Sequence, residues 1–372
     1  MTIAAEETNQ TIARLTPLTG VLAALDALAK PVAPQERSVD AAIGCILAAD
    51  AGAAAVPARA SALTDGWAVK AEEIADAGNY APVMLAKPPV RIETGDEMPA
   101  GTDAVAPLDT ITIKNGVAEA TGTVTAGEGV LAGGGDSGVQ SLRKAGERLR
   151  LVDAAVLAAA GVIKVSVRAP RIRIVAARED LRLQPALKLI AADCAAQGGA
   201  PIIANGCGID DALRGKDADA VIIVGGTGAG ARDRSVFILA KAGRVTHHGF
   251  GIAPGETAAL GEADGRPVLA VPGRLDAALA VWLVVGRALL AKLTGASEPE
   301  LTAACTLTRK VSSSLGLAEF VPVHRVGDSA TPLAGKALPL SALARANGWF
   351  LVPADSEGYA AGSEVAVKDW PT

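Results

Sequence analysis

The sequence predicts an α/β protein built from several domains. Its 372 residues exceed the length at which one hydrophobic core stops growing, so two to four domains are expected. Hydrophobic residues make up 50% of the chain but aromatic residues only 3%, which indicates cores of Ala, Val, Leu and Ile. In the second half, strand-sized apolar runs alternate with helix-sized ones, which is typical of a mainly parallel sheet covered by helices.

Two helices are predicted near the N-terminus. Apolar residues recur at helical spacing from Leu18 to Leu28, between Thr16-Pro17 and Pro31. The stretch SVDAAIGCILAADAGA (residues 38–53) predicts the second helix. From Val56 to about Gly135, short β-like segments with Gly, Pro and Asn-Gly turn signals predict a separate β-rich module.

The change from helical to β-like segments and back predicts four domains, because it indicates a β-rich module inserted into a helical unit. Residues 151–167 read as a helix followed by an extended stretch, and strands are predicted at Ile172–Val175 and Val221–Val224, among others. The predicted domains are a helical and linker domain (residues 1–50 plus 140–168), a β-rich insert (51–139), an α/β domain (170–297) and a C-terminal β-barrel (298–372).

One segment of the α/β domain carries the functional signal. VIIVGGTGAGARDRS (residues 221–235) places glycines between a buried strand and a helix that ends at Gly243, where an α/β fold presents backbone amides and a positive helix end to an anion. It is not a P-loop, since Gly-Lys-Ser/Thr is missing, and the third glycine of G-x-G-x-x-G falls on Ala231. An anion-binding loop and a tight turn without a ligand both fit these residues.

Composition excludes several classes of function. The net charge of -5 argues against a general polyanion binder such as a nucleic-acid-binding protein. Four widely spaced cysteines without a C-x-x-C pair fit a reducing cytoplasm, and three histidines give no zinc-ligand spacing. The acidic first residues lead into no signal core and no run of eighteen apolar residues is found, so neither membrane insertion nor export is expected.

Several separated segments together resemble the molybdopterin molybdenumtransferase family. They are ALTDGWAVKAEE, IETGDEMPAGTDAVAPLD, GGGDSGVQSLRKAGERL, ADAVIIVGGTGAGARD and LPLSALARANGWFLVPADSEGYAAGSEVAV, in the family's order. The resemblance implies a molybdopterin-binding three-layer α/β domain with a helical unit, a β-rich insert and a C-terminal β-barrel. It also implies insertion of molybdate into adenylated molybdopterin with release of AMP.

The resemblance also assigns roles to residues. Four positions match catalytic ones: Asp65, Thr94, Asp136 and Asp180. Eight match cofactor-binding ones: Gly225, Gly226, Thr227, Gly228, Asp233, Pro272, Arg274 and Ser341. Carboxylates close to phosphate need a counter-ion, so Mg²⁺ is expected at Asp180, Asp211 and Asp233. The resemblance further implies a homodimer that takes a pterin nucleotide, with Asp65 acting across the dimer, and a molybdoenzyme or biosynthetic protein as a further partner.

The chain departs from the family pattern at three places around the anion. Ser-Thr-Gly-Asp-Glu-Leu is replaced by AAREDL (residues 176–181), Lys-Pro-Gly-Lys-Pro by APGET (253–257), and Pro-Gly-Asn-Pro by PGRL (272–275). Two lysines are therefore lost and Glu256 is gained, while Arg178 and Arg274 restore two positive charges. The sequence leaves two hypotheses open, an enzyme that inserts molybdate and a paralogue that binds pterin, cofactor or a partner without insertion.

Overall fold

A computed structural model describes residues 10–54, 57–134, 139–204, 206–297, 301–333 and 338–371. The chain divides into two compact units. The main unit comprises Met1–Ala49, Lys144–Leu151 and Lys164–Thr372, and the insert unit comprises Asp50–Arg143 and Val152–Ile163. The predicted four-domain division is finer than these units and stays a prediction.

From residue 10 to residue 49, the described N-terminal part of the main unit, the chain forms one α-helix where the sequence predicts two. The helix predicted over Leu18–Leu28 is confirmed, but the second prediction is wrong: only a 3-10 turn forms at Asp40–Ala42, and the following residues form short strands. Small apolar residues at this place satisfy strand pairing, which overrides their helix propensity. The elements are β1 (Thr16–Pro17), α1 (Leu18–Leu28), β2 (Gln35–Ser38) and β3 (Ile46–Leu47).

The insert unit consists mostly of short strands, as predicted. Two three-stranded sheets, β10-β11-β7 and β8-β6-β9, stand beside the strand pairs β12-β5 and β13-β4. The elements are β4 (Ala51–Ala54), β5 (Ser61–Ala62), β6 (Gly66–Val69), β7 (Val83–Leu85), β8 (Val90–Ile92), β9 (Ala104–Ala106), β10 (Ile111–Lys114), β11 (Val117–Ala120), β12 (Val130–Leu131), β13 (Val139–Arg143) and α2 (Leu151–Ala159), whose first residue belongs to the main unit.

The chain then forms the α/β domain of the main unit. Six strands lie in the order β16-β15-β17-β21-β20-β18; the first four are parallel, and β20 is antiparallel to both of its neighbours. The elements of this domain are β15 (Arg171–Ala176), α3 (Gln184–Ala196), β16 (Ala200–Ile203), α4 (Ile209–Arg214), β17 (Ala220–Val224), α5 (Ser235–Ala242), β18 (Arg244–His248), β20 (Ala259–Ala263), β21 (Arg266–Val271), α6 (Leu275–Val281) and α7 (Arg287–Thr294). Two strands of this stretch lie in other sheets: β14 (Lys164–Arg168) pairs with β2 and β3, and β19 (Phe250–Ala253) pairs with β1.

Side chains of β17 pack against helices on both faces of this sheet. Ile222 and Val224 belong to the core that contains residues of α3, α6 and α7, whereas Val221 and Ile223 belong to the core that contains residues of α4 and α5. Successive residues of a strand point to opposite faces, so two apolar faces require a helical layer on each side. The predicted three-layer α/β architecture is thus confirmed.

A long apolar helical run closes one of these layers. A π-helical turn at Trp282–Gly286 joins α6 to α7, and the run Leu275–Thr294 is long and apolar enough to cross a membrane by composition. In the structure 78% of its most apolar window is buried inside the protein. Its hydrophobicity is therefore that of a core helix.

The C-terminal part of the main unit is a closed barrel, as predicted. Five strands run in the order β24-β25-β22-β28-β26, and β26 pairs back onto β24. β24 also pairs with β19, and β19 with β1, so the barrel shares a sheet with the N-terminal strand. The elements are β22 (Thr302–Leu307), β23 (Val311–Ser312), β24 (Ala318–Val326), β25 (Ser329–Pro332), α8 (Leu340–Arg345), β26 (Gly348–Val352), β27 (Gly358–Tyr359) and β28 (Glu364–Asp369).

Candidate functional site

Three loops of the main unit meet at the carboxyl ends of the neighbouring strands β15, β17 and β21. They are residues 177–183, the glycine loop (residues 225–234) and residues 272–274. The Gly225 amide donates to the Val271 carbonyl at 2.9 Å, and a Cβ on Gly273 would lie 3.4 Å from the Gly225 Cα. Ligands of open α/β sheets bind at this edge, so the fold brings the predicted glycine loop to the expected place.

The first two residues of the glycine loop have to be glycines. Gly225 and Gly226 adopt φ values of 90° and 68°, which side chains disfavour. A Cβ on Gly226 would lie 2.4 Å from the Ser235 Oγ. The buried Ser235 hydroxyl donates to the Gly225 carbonyl at 2.7 Å, and the Ser235 amide donates to the Gly226 carbonyl at 3.0 Å. The loop thus folds tightly back onto the first residue of α5.

Thr227 ties the glycine loop to the segment in which the family's lysines are missing. Its side chain is buried, with the residue only 2% exposed, and its hydroxyl lies 3.0 Å from the Thr257 hydroxyl. The His248 Nε2 lies 3.0 Å from the Thr227 carbonyl, which can only accept, so His248 carries its proton on Nε2. Residues 253–257 therefore adjoin the loop. Sequence reasoning did not identify Thr257 or His248 as residues that contact the glycine loop.

Asp233 holds the far end of the glycine loop. Its Oδ2 accepts a hydrogen bond from the Gly230 amide at 3.2 Å, and its own amide donates to the Gly230 carbonyl at 2.8 Å. A Cβ on Gly228 would lie 2.9 Å from the same Oδ2. The carboxylate of Asp233 is thus the internal brace of the loop.

Asp180 is surrounded by arginine groups. Its carboxylate caps the 3-10 turn at Leu181–Leu183 by accepting from the Arg182 amide at 3.0 Å, and it also accepts from the Arg182 guanidinium at 2.9 and 3.0 Å. Arg178 Nε donates to it at 3.2 Å. The hydrogen bonds from Arg182, followed by that from Arg178, hold the pKa of Asp180 far below its ordinary value.

Arg178 lies between two of the predicted metal ligands. Besides Asp180, its guanidinium reaches the Asp233 Oδ1, with 3.8 Å between Nη1 and Oδ1. Asp211 is exposed in the first turn of α4, and no hydrogen bond or ion pair joins it to the other two aspartates in the described ranges. Nor do those ranges contain three or more His, Cys, Asp or Glu side chains grouped to hold a metal ion. The predicted ligands therefore do not fit Mg²⁺, because guanidinium groups already neutralise two of them.

Arg274 lies at the carboxyl edge of the sheet as expected, but its positive charge is paired with nearby carboxylates. Its Nε donates to the buried Asp276 Oδ1 at 3.1 Å, and this pairing, with a smaller contribution from Glu256, raises the pKa of Arg274. The Glu256 Oε2 accepts from the Gly255 amide at 3.0 Å. The neighbouring Pro272 is buried. Arg274 and Glu256 thus carry opposite charges beside the glycine loop, and each offsets part of the other's field.

The start of α5 is already occupied by the protein itself. The Gln10 Oε1 accepts from the Val236 and Phe237 amides at 2.8 and 2.9 Å, although an anion was expected there. Its Nε2 donates to the Gly226 and Gly228 carbonyls at 3.1 and 3.0 Å. Gln10 lies 216 residues before Gly226, and no local pattern in the sequence indicates such a contact.

In the insert unit, Asp65 and Thr94, which the resemblance assigns as separate catalytic positions, are hydrogen-bonded to each other. Asp65 precedes β6 and Thr94 follows β8; these strands are antiparallel, with Gly66 opposite Ile92. The Asp65 Oδ1 accepts from the Thr94 amide and hydroxyl, which lowers the pKa of Asp65. The carboxylate is exposed, charged and fixed in position.

The two remaining predicted site residues are Asp136 and Ser341. Asp136 lies outside the described residues. Ser341 is exposed in the first turn of α8, beside the barrel, and no hydrogen bond links it to the glycine loop in the described part of the main unit.

A cavity of about 630 Å³ lies at the other end of the sheet. Its lining includes Arg171, Asp219 and Arg266, which stand at the amino ends of β15, β17 and β21. These ends are opposite the carboxyl edge, so this cavity is not the site of the three loops.

Fold and loops together define a multidomain α/β protein with a glycine-rich loop after a central parallel strand and a separate, hydrogen-bonded Asp65–Thr94 pair in a β-rich insert. Three family descriptions match the chain: the MoeA N-terminal region (domain I and II) at residues 6–161, a probable molybdopterin binding domain at 205–292, and the MoeA C-terminal region (domain IV) at 304–370. The chain belongs to the MoeA family of molybdenum cofactor biosynthesis proteins.

Known proteins resemble the chain over most of its length. A relative from Methanocaldococcus jannaschii is 27% identical over 349 residues, covering 82% of this chain and 84% of its own. Molybdopterin molybdenumtransferase 2 of Mycobacterium tuberculosis is 26% identical over 381 residues, covering 88% and 92%. Two structures of the Pyrococcus horikoshii molybdopterin biosynthesis moeA protein, 22% and 25% identical, have TM-scores of 0.75 and cover 96% of this chain and 99–100% of theirs.

Proposed function

We propose that this protein inserts molybdate into adenylated molybdopterin with release of AMP. The observation that carries the proposal is the meeting of three loops at the carboxyl edge of β15, β17 and β21, with Arg178 and Arg274 beside the glycine loop. Family membership and the names of the relatives support the chemistry. In this role the glycine loop binds the pterin phosphate, and Asp65 acts across the proposed dimer.

The arginines act here as phosphate and molybdate ligands. A guanidinium presents several donors in a plane and therefore suits tetrahedral oxyanions. Arg178 is hydrogen-bonded to Asp180 and forms a longer ion pair with Asp233, so an incoming anion exchanges one of these contacts for its own. Mg²⁺ at Asp180, Asp211 and Asp233 is not part of the proposal, since that donor set does not fit it.

The loss of the family's two lysines favours a second function. Where the family has two lysines, this chain has Ala253 and Glu256, and Glu256 lies in the field of Arg274. A site with less positive charge holds the pterin more weakly and stabilises the reacting anions less. The alternative is a paralogue that binds pterin, cofactor or a partner enzyme without inserting molybdate.

One experiment separates the two functions. Molybdopterin and its adenylate are titrated into the protein by calorimetry, and AMP release is then followed with and without molybdate. The proposed enzyme binds the adenylate and releases AMP only when molybdate is present. Binding without release leaves the carrier function, and a failure to bind either compound contradicts both.

We also propose that the protein acts as a homodimer in the cytoplasm. A second copy of the chain is supported by an exposed apolar row, which consists of Val152 and Val156 on α2 and Ile163 after the end of that helix. These three residues are 57%, 48% and 78% exposed. Val152 and Val156 share one face of α2, Ile163 follows the end of the helix, and exposed apolar residues grouped in this way commonly mark association surfaces. A molybdoenzyme or a biosynthetic protein that receives the product remains a proposed partner.

A further inference from the structure

Gln10 uses every hydrogen-bonding position of its side chain on the glycine loop and on α5. The carboxamide has two donor hydrogens and one acceptor oxygen with two lone pairs. Nε2 donates to the carbonyls of Gly226 and Gly228, and Oε1 accepts from the amides of Val236 and Phe237. One side chain thus joins both ends of the loop, and no other residue type of this length provides both functions without charge.

Anchoring the two carbonyls also orients two amides. The peptide bonds of the glycine loop are trans, and in a trans peptide the N–H points opposite to the C=O of the same plane. With the Gly226 and Gly228 carbonyls held toward Gln10, the N–H groups of Thr227 and Ala229 point away from it. Neither amide has an acceptor among the residues that the structure describes, and Ala229 is exposed.

We infer that Gln10 is a positioning residue for ligand binding, which fixes the glycine loop so that the Thr227 and Ala229 amides face the pterin phosphate. The inference rests on the proposed pterin-binding function of this loop. It also moves the anion site, because Gln10 replaces the ligand at the start of α5. The phosphate then binds to the loop amides rather than to the helix terminus.

Two substitutions separate loop positioning from simple helix capping. Gln10→Ala removes both sets of hydrogen bonds. Gln10→Glu keeps an oxygen for the Val236 and Phe237 amides, where negative charge is favoured, but turns a second oxygen toward the Gly226 and Gly228 carbonyls. The loop is therefore released in both variants, whereas the cap is lost only in Gln10→Ala.

Binding of molybdopterin and hydrogen exchange of the free protein are measured for the three proteins. We expect both variants to bind about tenfold more weakly, which is the effect of losing one to two net hydrogen bonds. Exchange rises in residues 225–234 in both variants, and in residues 236–242 only in Gln10→Ala. Because exchange is measured without ligand, it reports on the loop independently of pterin binding.

Every other outcome contradicts either the positioning role of Gln10 or the proposed function. Wild-type affinity in Gln10→Ala contradicts a positioning role, and so does wild-type affinity in Gln10→Glu, which would leave only the helix cap. Tighter binding by Gln10→Ala shows that Gln10 occludes the site. A wild-type protein that does not bind molybdopterin contradicts the proposed function and, with it, the ligand role of Gln10, even if exchange shows that Gln10 holds the loop.

Discussion

The carboxylate of Asp65 accepts two hydrogen bonds from Thr94, at 2.8 Å from the backbone amide and 2.9 Å from the hydroxyl. Both bonds stabilise the ionised form, so the pKa of Asp65 lies below its ordinary value. The arrangement keeps an exposed side chain charged and oriented.

For Asp65→Asn we therefore expect molybdate-dependent AMP release to fall at least about tenfold, with an unchanged melting temperature. Since the pKa is depressed, the charge persists above the ordinary pKa and is lost only as the pH falls through the lower value. The wild-type rate should thus show no titration of Asp65 between about pH 5 and pH 8. Glu93→Gln, an exposed neighbour, is the control, and equal rates in the two variants would refute the role of Asp65.

Removing the internal brace of the glycine loop should weaken ligand binding. In Asp233→Ala the Gly230 amide loses its acceptor and Arg178 loses one of its two carboxylates. We expect calorimetry to show about tenfold weaker binding of molybdopterin, while circular dichroism stays unchanged because the loop lies outside the cores. Unchanged affinity would remove Asp233 from the site.

Reversing the charge at position 256 should strengthen anion binding. Glu256 lies close enough to Arg274 to raise its pKa, so it opposes a nearby negative ligand. Replacing it by Lys converts repulsion into attraction. We expect tighter binding of the adenylate to Glu256→Lys and a steeper loss of affinity with salt. Glu364→Lys, exposed on barrel strand β28, changes the net charge equally and should leave the affinity as it is. Looser binding in Glu256→Lys would mean that position 256 does not face the ligand.

The buried cluster under α6 and α7 should dominate the stability of the α/β domain. Asp193 accepts from the Trp282 Nε1 at 2.7 Å and from the Arg287 guanidinium at 2.6 and 2.9 Å. Asp193→Ala leaves both donors without this partner and should lower the free energy of unfolding by about 3–5 kcal/mol. Urea unfolding followed by tryptophan fluorescence measures the loss. Asp26→Asn, at an exposed pair with Lys292, should cost less than about 1 kcal/mol.

The apolar row on α2 gives a direct test of self-association. Val156→Lys places a charge in the middle of the row and should convert a dimer into a monomer in sedimentation experiments. Lys164→Glu alters charge on an exposed strand residue beyond the helix and should leave the dimer intact. A wild-type monomer would contradict the proposed homodimer outright.

Local patterns in the sequence predicted most of the fold. The apolar run Val221–Val224, the glycines after it and the helix ending before Gly243 all appear where expected, because strand burial and glycine turns are coded over a few residues. The helix predicted for residues 38–53 failed for the opposite reason. Ala51–Ala54 pairs with Val139–Arg143, and this distant partner decides its conformation.

The candidate site was predicted less completely than the fold. The glycines, Asp65 and Thr94 were named from short motifs, but the pairing of Asp65 with Thr94 was not predicted, and Gln10 contacts the loop from 216 residues away and has no periodic signature. Arg178 was expected to face an anion, and its pairing with Asp180 and Asp233 depends on where two loops end in space. Long-range polar contacts of this kind leave no trace in hydrophobic periodicity.

The sheet that joins β1, β19 and β24 has a consequence for the order in which the chain matures. Strand β19 receives one neighbour from the start of the chain and the other from the barrel, so its backbone groups stay unsatisfied on one side until the last domain has left the ribosome. A fragment that ends before β22 would expose this edge to other nascent chains. Recombinant production of a fragment that ends before β22 should therefore give a more aggregation-prone protein than the full chain.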